Sequence, residues 1–320
     1  MVKYILKRIL LSFFTFFVII SLCFIFVKLL PITDATVFGQ DTELIVKRRE
    51  ALGYYDPLPK QYWLFITKTL IGFDWGVGEV IYQGKDVWET FVMKLPPTIL
   101  VNLYAMIFSV PIGIAFGIYA ALKKNRWQDG VLSTLVMVIV SVPSYVYAFL
   151  IQYFLCYQLQ WFPFLMENGT DYFSWKMFVS LIPAILSLSF GEIAQLTRYT
   201  RAELTEVLTS DFMLLARTKG LTKAQATTRH ALKNAMVPIF PSIIAGFIGI
   251  LQGSLIIESI FGISGVGGLY VKAITGKSGN PDYNFFLLIS AFYTLIGLLS
   301  SIIIDISYGI IDPRIRMGER

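Results

Sequence analysis

Six stretches of the 320-residue chain, at about residues 9–30, 98–122, 131–157, 178–199, 236–257 and 284–311, are long and apolar enough to cross a bilayer. The hydrocarbon layer takes about 20 helical residues. No water satisfies the backbone there, so segments of this kind must be helices or close into barrels. Composition agrees. Hydrophobic residues make up 56% of the chain and charged residues 15%, against roughly 25% charged in soluble proteins. The sequence therefore predicts an all-α integral membrane protein with six transmembrane helices. Lys3, Lys7 and Arg8 precede the first stretch as they would a signal peptide. Its apolar run is too long and lacks a small-x-small cleavage site, so it is read as a retained helix.

Charge orients the bundle. The chain carries 27 Lys and Arg against 21 Asp and Glu, a net +6. In a membrane protein this excess reflects basic cytoplasmic loops rather than nucleic acid. Segments 1–8, 123–130, 198–235 and 312–320 hold 3, 3, 7 and 3 Lys and Arg, whereas the short opposite loops 158–177 and 258–283 hold 1 and 2. The segment 31–97 carries 7, but loops beyond about 60 residues translocate regardless of charge. Both termini are expected in the cytoplasm. The expected organisation is an N-terminus and first helix (1–30), an extracytoplasmic cap (31–97), a five-helix core (98–311) with a cytoplasmic hairpin at 198–235, and a cytoplasmic tail (312–320).

The cap segment holds Gly53, Asp56-Pro57, Pro59 and the aromatics Tyr54, Tyr55, Tyr62, Trp63, Trp75 and Trp88. Structureless loops longer than about 15 residues are uncommon, so short helices such as 58–71 are expected; the cap either binds a partner or covers the bundle. In the hairpin, Asp211 is expected to cap a short helix over Phe212 to Lys219, with Phe212, Leu215 and Ala216 forming one apolar side. Gly220 suits a left-handed position after the helix, and Thr222-x-x-Gln225 is a capping-box pattern. The second helix carries Arg229, His230 and Lys233 and is expected to run to Pro238. Such a hairpin is either a solvated basic loop or a docking knob for a cytoplasmic partner.

Much chemistry is excluded. Cys23 and Cys156 lie inside apolar runs and suit packing rather than a disulfide, and one histidine makes a His-based metal site untenable. Gly276-Lys277-Ser278 ends like a phosphate loop, but Val271 stands where the motif needs glycine. Gly262-Ile263-Ser264-Gly265 resembles the motif of intramembrane serine proteases, yet His230 is predicted across the membrane from Ser264, and a nucleophile needs a base within hydrogen-bond reach. No catalytic residue and no metal site are assigned. Charges inside spans are functional candidates in a bilayer. Lys28 is near enough to a helix end to snorkel. Glu192 either lines a pathway or pairs internally, and Asp305 is expected to bond backbone or Arg314. Pro111, Gly113, Gly117, Val142-Pro143-Ser144, Pro238, Pro241, Gly246, Gly249 and Gly253 interrupt the helices. They serve either close packing or rocking around a path.

The run Asp211 to Leu221 (DFMLLARTKGL), continuing through Arg229 to Asn234 and Pro238, resembles the cytoplasmic signature of ABC importer permeases. It is similar to the dipeptide/oligopeptide/nickel branch. Leu214-Leu215-Ala216 replaces the stricter family pattern Glu-Ala-Ala, and the proline comes later, as is usual in that branch. The resemblance spans the chain: Lys3 to Arg8, Leu30-Pro31, Leu52-Gly53, Pro59-x-Gln61-Tyr62, Leu95-Pro96-x-Thr98 and Val142-Pro143-Ser144 all fit the B-type permease of an oligopeptide system. So do Gly253-x4-Glu258-x2-Phe261-x3-Gly265-x-Gly267 and Asp305-x2-Tyr308-x3-Asp312-Pro313-Arg314. Pro31 to Asp34 departs from the commoner Pro-Gly-Asp-Pro.

The resemblance implies a type I importer permease fold in a bacterial-type inner membrane. It implies that two homologous permeases form the path and that two cytoplasmic ATPases carry ATP and Mg. An extracytoplasmic binding protein delivers oligopeptides or dipeptides, with nickel chelates or glycosides as the alternative cargo. This chain itself would bind no cofactor. Residues 211–221 match the segment that couples to the ATPase: Asp211, Leu215, Ala216, Arg217, Lys219, Gly220 and Leu221. Gly220 would supply the turn, Ala216 a close approach, and Arg217 and Lys219 polar contacts. Pathway candidates are Pro143, Ser144, Glu192, Gly253 and Glu258. An ion-coupled secondary transporter would need charges near the midplane and often inverted repeats, and only Glu192 is present.

Overall fold

The computed structural model describes residues 2–29, 47, 50, 53–169, 171–276 and 280–311. In chain order the helices are α1 (Val2–Leu29), α2 (Leu58–Leu64, continued by the π segment Phe65–Ile71), α3 (Val87–Leu122) and α4 (Trp127–Ser141). Next come α5 (Ser144–Ile151, continued by the π segment Gln152–Gln158), α6 (Trp175–Leu208), α7 (Asp211–Thr218) and α8 (Lys223–Ala226). α8 runs through the π turn Thr227–Ala231 into α9 (Leu232–Gly249), and α10 (Leu255–Ile260), α11 (Val266–Thr275) and α12 (Tyr283–Ile311) complete the fold. Among the described residues five helical stretches suffice to cross a membrane: Ile5–Leu29, Val87–Leu122, Trp175–Leu208, Lys223–Gln252 and Tyr283–Ser307. α4 and α5 form a sixth only as a pair bent by 98°.

The bend falls at Val142-Pro143-Ser144, the interruption expected inside the span at 131–157. Proline disfavours a helical conformation in the residue before it, and Val142 is extended at φ −95°, ψ 127° ahead of Pro143. The second span begins earlier than expected, at Val87, because the Asp86 carboxylate accepts from the Glu89 amide at 2.7 Å and caps the helix there. Pro96 and Pro97 then lie inside it. The fifth span is displaced from 236–257 to Lys223–Gln252. Pro238 does not stop it, since packed neighbours tolerate prolines within spans, and Tyr199 donates to the Pro238 carbonyl at 3.4 Å. It ends at Gly253, whose φ of +66° takes the chain out of the helix. The expected helix at 58–71 is present as α2 and its π extension.

α3 and α6 are the central pair. At Gly113 a methyl group would lie 2.7 Å from Leu196 Cβ, and at Gly117 2.8 Å from the Thr197 carbonyl oxygen, so only glycine allows this approach. Hydrogen bonds cross the contact from Thr197 Oγ1 to the Gly113 carbonyl and from Ser189 Oγ to the Ala105 carbonyl, each at 3.2 Å. α1 packs beside α12, where Ile20, Phe24, Phe65, Phe91, Phe285 and Leu288 share one buried cluster with the cap residue Trp75. Arg8 on α1 pairs with Asp305 on α12 at 2.9 Å. One expected partner of Asp305, Arg314, lies outside the described residues with the rest of Asp312 to Arg320, Lys277-Ser278, Leu30 to Asp34 and Leu52.

The described part of the cap is held by one carboxylate. Asp282, fully buried just before α12, accepts at Oδ2 from the amides of Glu79, Val80 and Ile81 at 2.9, 2.8 and 3.2 Å. Asn284 Nδ2 donates to the Val77 carbonyl at 2.9 Å. Lys28 Nζ sits 3.9 Å from the Tyr54 ring centre, so the end of α1 meets the same cap through a cation–π contact. Asp282→Ala would leave three amides without their acceptor, each worth about 1–3 kcal/mol when buried and unpaired. The expected outcome is faster tryptic cleavage at Lys85 in detergent, with Asp282→Asn intermediate. Unchanged cleavage would show that the cap is held elsewhere.

Candidate functional site

The hairpin after α6 is built by local rules. Ser210 occupies the cap position of α7, with its backbone extended at φ −77°, ψ 155°. This corrects the expected cap Asp211, which is the first helical residue instead. A negative side chain there still favours the helix, because the amino end of the helix dipole is positive. The Ser210 hydroxyl donates back to the Val207 carbonyl at 2.5 Å. At the other end Gly220 takes φ +90°, the left-handed conformation that glycine accepts without cost from a side chain. Its amide bonds the Arg217 carbonyl at 3.0 Å, and the Leu221 amide bonds the Ala216 carbonyl at 3.4 Å. The capping box then forms as a reciprocal pair: Gln225 N to Thr222 Oγ1 at 3.2 Å, and Thr222 N to Gln225 Oε1 at 3.0 Å.

The faces of α7 differ from the sequence expectation. Met213 and Ala216 point inward and pack with Ala121, Leu204, Ala226, Ala231 and Ala235. Small side chains in that cluster bring α3, α6 and the hairpin close together. Ala216 therefore belongs to the internal contact rather than to an outer ridge. Phe212, Leu214 and Leu215 are 40%, 64% and 56% exposed, and they lie outside every stretch able to span a membrane. Asp211, Arg217, Lys219 and Gly220 are exposed beside them, and Leu221 is partly buried at the turn.

Beneath the hairpin a bidentate ion pair ties α4 to α6: Arg201 Nε and a terminal nitrogen donate to Asp129 Oδ1 and Oδ2 at 2.5 and 2.8 Å. Asp129 is buried and also accepts from the Asn125 amide at 3.1 Å. Sequence reasoning missed this pair. Seventy-two positions separate its members, and nothing local to either one specifies the other.

The pathway candidates fall into two groups. Gly253 and Glu258 come together in a closed polar knot. Glu258, 1% exposed, accepts at Oε1 from Thr98 Oγ1 at 2.9 Å and at Oε2 from the Gly268 amide at 3.0 Å. Thr98 Oγ1 in turn accepts from the Val266 amide at 2.9 Å. Side chains at Gly253, Gly265 or Gly267 would strike the Glu258 carboxylate, which gives the glycine spacing a physical cause. Burial pushes this carboxyl above its ordinary value, and the hydrogen bonds from Gly268 and Thr98 pull against it. Pro143, Ser144 and Glu192 make the second group. Pro143 and Ser144 are exposed at the bend before α5, and α5 packs on α6 through the rings of Tyr147 and Phe190, 5.9 Å apart. Glu192 sits midway along α6, half-buried, with no hydrogen bond or ion pair among the described residues.

Ser264 does have an amine neighbour: Lys94 Nζ donates to its hydroxyl at 2.5 Å. The contact is exposed and ties the 262–265 turn to α3. The pair serves as a tether between the two segments. Glu258→Gln places an amide donor against either the Gly268 N–H or the Thr98 hydroxyl. A loss of about 2 kcal/mol follows. The expected result is a lower melting temperature in detergent, with uptake per folded molecule unchanged; normal stability with lost uptake would return Glu258 to the pathway.

Comparison with known proteins adds an independent line. Residues 113–317 match the family described as binding-protein-dependent transport system inner membrane component, and residues 1–102 match the N-terminal family of such membrane components. The chain is 32% identical over 317 residues to the dipeptide transport system permease protein DppB of Lactococcus lactis subsp. cremoris, covering 99% of this chain and 100% of that one. It is 32% identical over 316 residues to a probable peptide ABC transporter permease protein of Sinorhizobium fredii, covering 98% and 99%. It is likewise 32% identical over 319 residues to the glutathione transport system permease protein GsiC of Salmonella typhi, covering 99% of each. A crystal structure of an amino acid ABC transporter with histidines shares the fold, with a TM-score of 0.51 and 20% identity over 69% of this chain and 93% of that one.

Proposed function

The chain belongs to the family of inner membrane components of binding-protein-dependent transport systems, and from that premise we propose that it forms half of the translocation path of an ATP-driven importer of short peptides. It is a multi-pass transport component of the bacterial inner membrane, and the ABC systems of its family work with an ATPase and a substrate-binding protein. The finer assembly is part of the proposal: a second homologous permease, two ATPases that hold ATP and Mg, and an external binding protein. The cargo named for its relatives is dipeptide, peptide and glutathione. All three contain amide-linked amino acids, and that common chemistry supports a short-peptide substrate.

The observation that carries the coupling role is the exposed ridge Phe212, Leu214 and Leu215. A lipid-facing apolar residue needs no protein partner, but these three lie beyond the spans, where exposed apolar surface marks an interaction site. The hairpin is presented rigidly by its capping box, its glycine turn and its alanine-lined base. α6 leads into it and α8–α9 leads out, so movement of α7 is transmitted along two spanning helices. α6 is 34 residues long, about 50 Å of helix at 1.5 Å per residue. Closure of the ATPase pair would draw the hairpins together and turn the path outward. The basic segments beside the hairpin and at both termini support a cytoplasmic position for these elements.

Glu192 is assigned to the path. An intramembrane carboxylate without a partner among the described residues suits contact with water or with cationic groups of the cargo, such as a peptide amino terminus.

Two variants separate these roles. Leu215→Asp puts a charge on the ridge while leaving the inward residues untouched; the expected outcome is loss of the ATPases from a mild-detergent purification and loss of uptake. ATPases retained at wild-type level together with normal uptake would sink the coupling assignment. Glu192→Gln is expected to keep the ATPases bound yet weaken apparent peptide affinity by about tenfold, the scale of one charge-assisted hydrogen bond. An unaltered uptake curve with labelled dipeptide would remove Glu192 from the path.

A further inference from the structure

Between the α3–α4 turn, the end of α6 and the hairpin lies an open pocket of about 530 Å³. Four cations from three separate segments line it: Lys124 and Arg126 in the turn, Arg217 in α7 and Lys223 at the start of α8, with Asp211 as the single acid. All five side chains are exposed. None makes an ion pair or side-chain hydrogen bond with another described residue, whereas Arg8, Lys60 and Arg201 elsewhere are all paired. The Thr205 hydroxyl lines the same pocket, shielded from solvent and without a hydrogen-bond partner among the described residues. Four like charges around one concavity repel one another, and a bound anion would relieve that repulsion.

Position narrows the anion. The turn joins two apolar helices, and its flanking residues Leu122 and Trp127 are 44% and 74% exposed. Tryptophan is favoured where spans meet the polar headgroups, so the pocket opens at headgroup level. Two guanidinium groups suit phosphate oxygens, which they can grip in pairs, and basic pockets between spanning helices are suited to anionic headgroups.

We propose that this pocket binds a phosphate group, supplied by the headgroup of an anionic phospholipid or by a soluble phosphate ester. A phosphate held there bridges the α3–α4 turn to the hairpin and fixes the angle at which α7 is presented. The site adjoins the ridge, with Leu214 lining both, but its cations Lys124, Arg126 and Lys223 lie outside the coupling segment, so it goes beyond the coupling role and does not require it.

The test uses the full chain, purified with its partners into phosphatidylcholine nanodiscs doped with phosphatidylglycerol, with retained lipid measured by native mass spectrometry. Wild type is expected to retain phosphatidylglycerol. Lys124→Gln/Arg126→Gln is expected to retain it roughly tenfold less, at an unchanged melting temperature, and Lys223→Gln alone should lie between. In a second arm, inorganic phosphate is titrated in pure phosphatidylcholine nanodiscs. A thermal shift there that the double variant lacks would support the site with a soluble source. Equal lipid retention and equal phosphate response in wild type and both variants would overturn the proposal. Leu215→Asp keeps the two ideas apart: it should lose the ATPases and still retain phosphatidylglycerol.

Discussion

A polar group carried into an apolar layer finds no water to satisfy it, so it must find its partner within the chain. The architecture follows from how this constraint is met. The backbone meets it by forming long helices, and buried ionisable side chains, within the spans and outside them, meet the same constraint by specific pairing. Asp129 takes both ends of the Arg201 guanidinium, Arg8 reaches Asp305, and Glu258 is enclosed by Thr98, Gly268 and glycines that leave room for it. Asp282 gathers three consecutive amides of the cap. Apart from the Gly268 bond to Glu258, each contact joins segments far apart in sequence, and each would be costly to leave half made. Glu192 stands out because it has none of these solutions among the described residues.

The hairpin obeys the opposite logic. Its inner side is a cluster of small residues that locks it to α3, α6 and α9, while its outer side leaves three large apolar residues uncovered. A surface element that is rigid in itself and unsatisfied on one face suits the transmission of force between subunits. Next to it, cations from the turn and the hairpin make no ion pair among the described residues. Apolar and charged surfaces left unmatched at one end of the bundle distinguish it from the cap end, where Asp282, Asn284 and Lys28 bind the chain to itself.

Much of this was legible in the residues because the signals are local. Apolar runs announce spans, Gly220 announces a left-handed turn, and Thr222 with Gln225 announces a capping box; each depends on neighbours within a few positions. Where the expectation failed, a distant contact had overridden a local rule. Pro238 reads as a stop, yet the helix continues through it to Gly249. Pro143, by contrast, reads as an interruption and makes one locally, although the size of the bend, 98°, is visible only in the structure. Phe212, Leu215 and Ala216 look like one apolar side of α7, and only the neighbouring alanines decide that Ala216 turns inward while Leu214 joins the outer face.

The sequence by itself determined that the chain is a helical membrane protein, where its hairpin turns, and through its ordered motifs which family it belongs to, because bilayer solvation and backbone conformation act over short stretches of chain. Only the tertiary structure decided which carboxylates are enclosed by hydrogen bonds and which has no partner among the described residues, why the glycines around Glu258 recur, and which cations share a pocket. Those properties depend on pairs of groups brought together across the fold, and a single sequence carries no record of such distances.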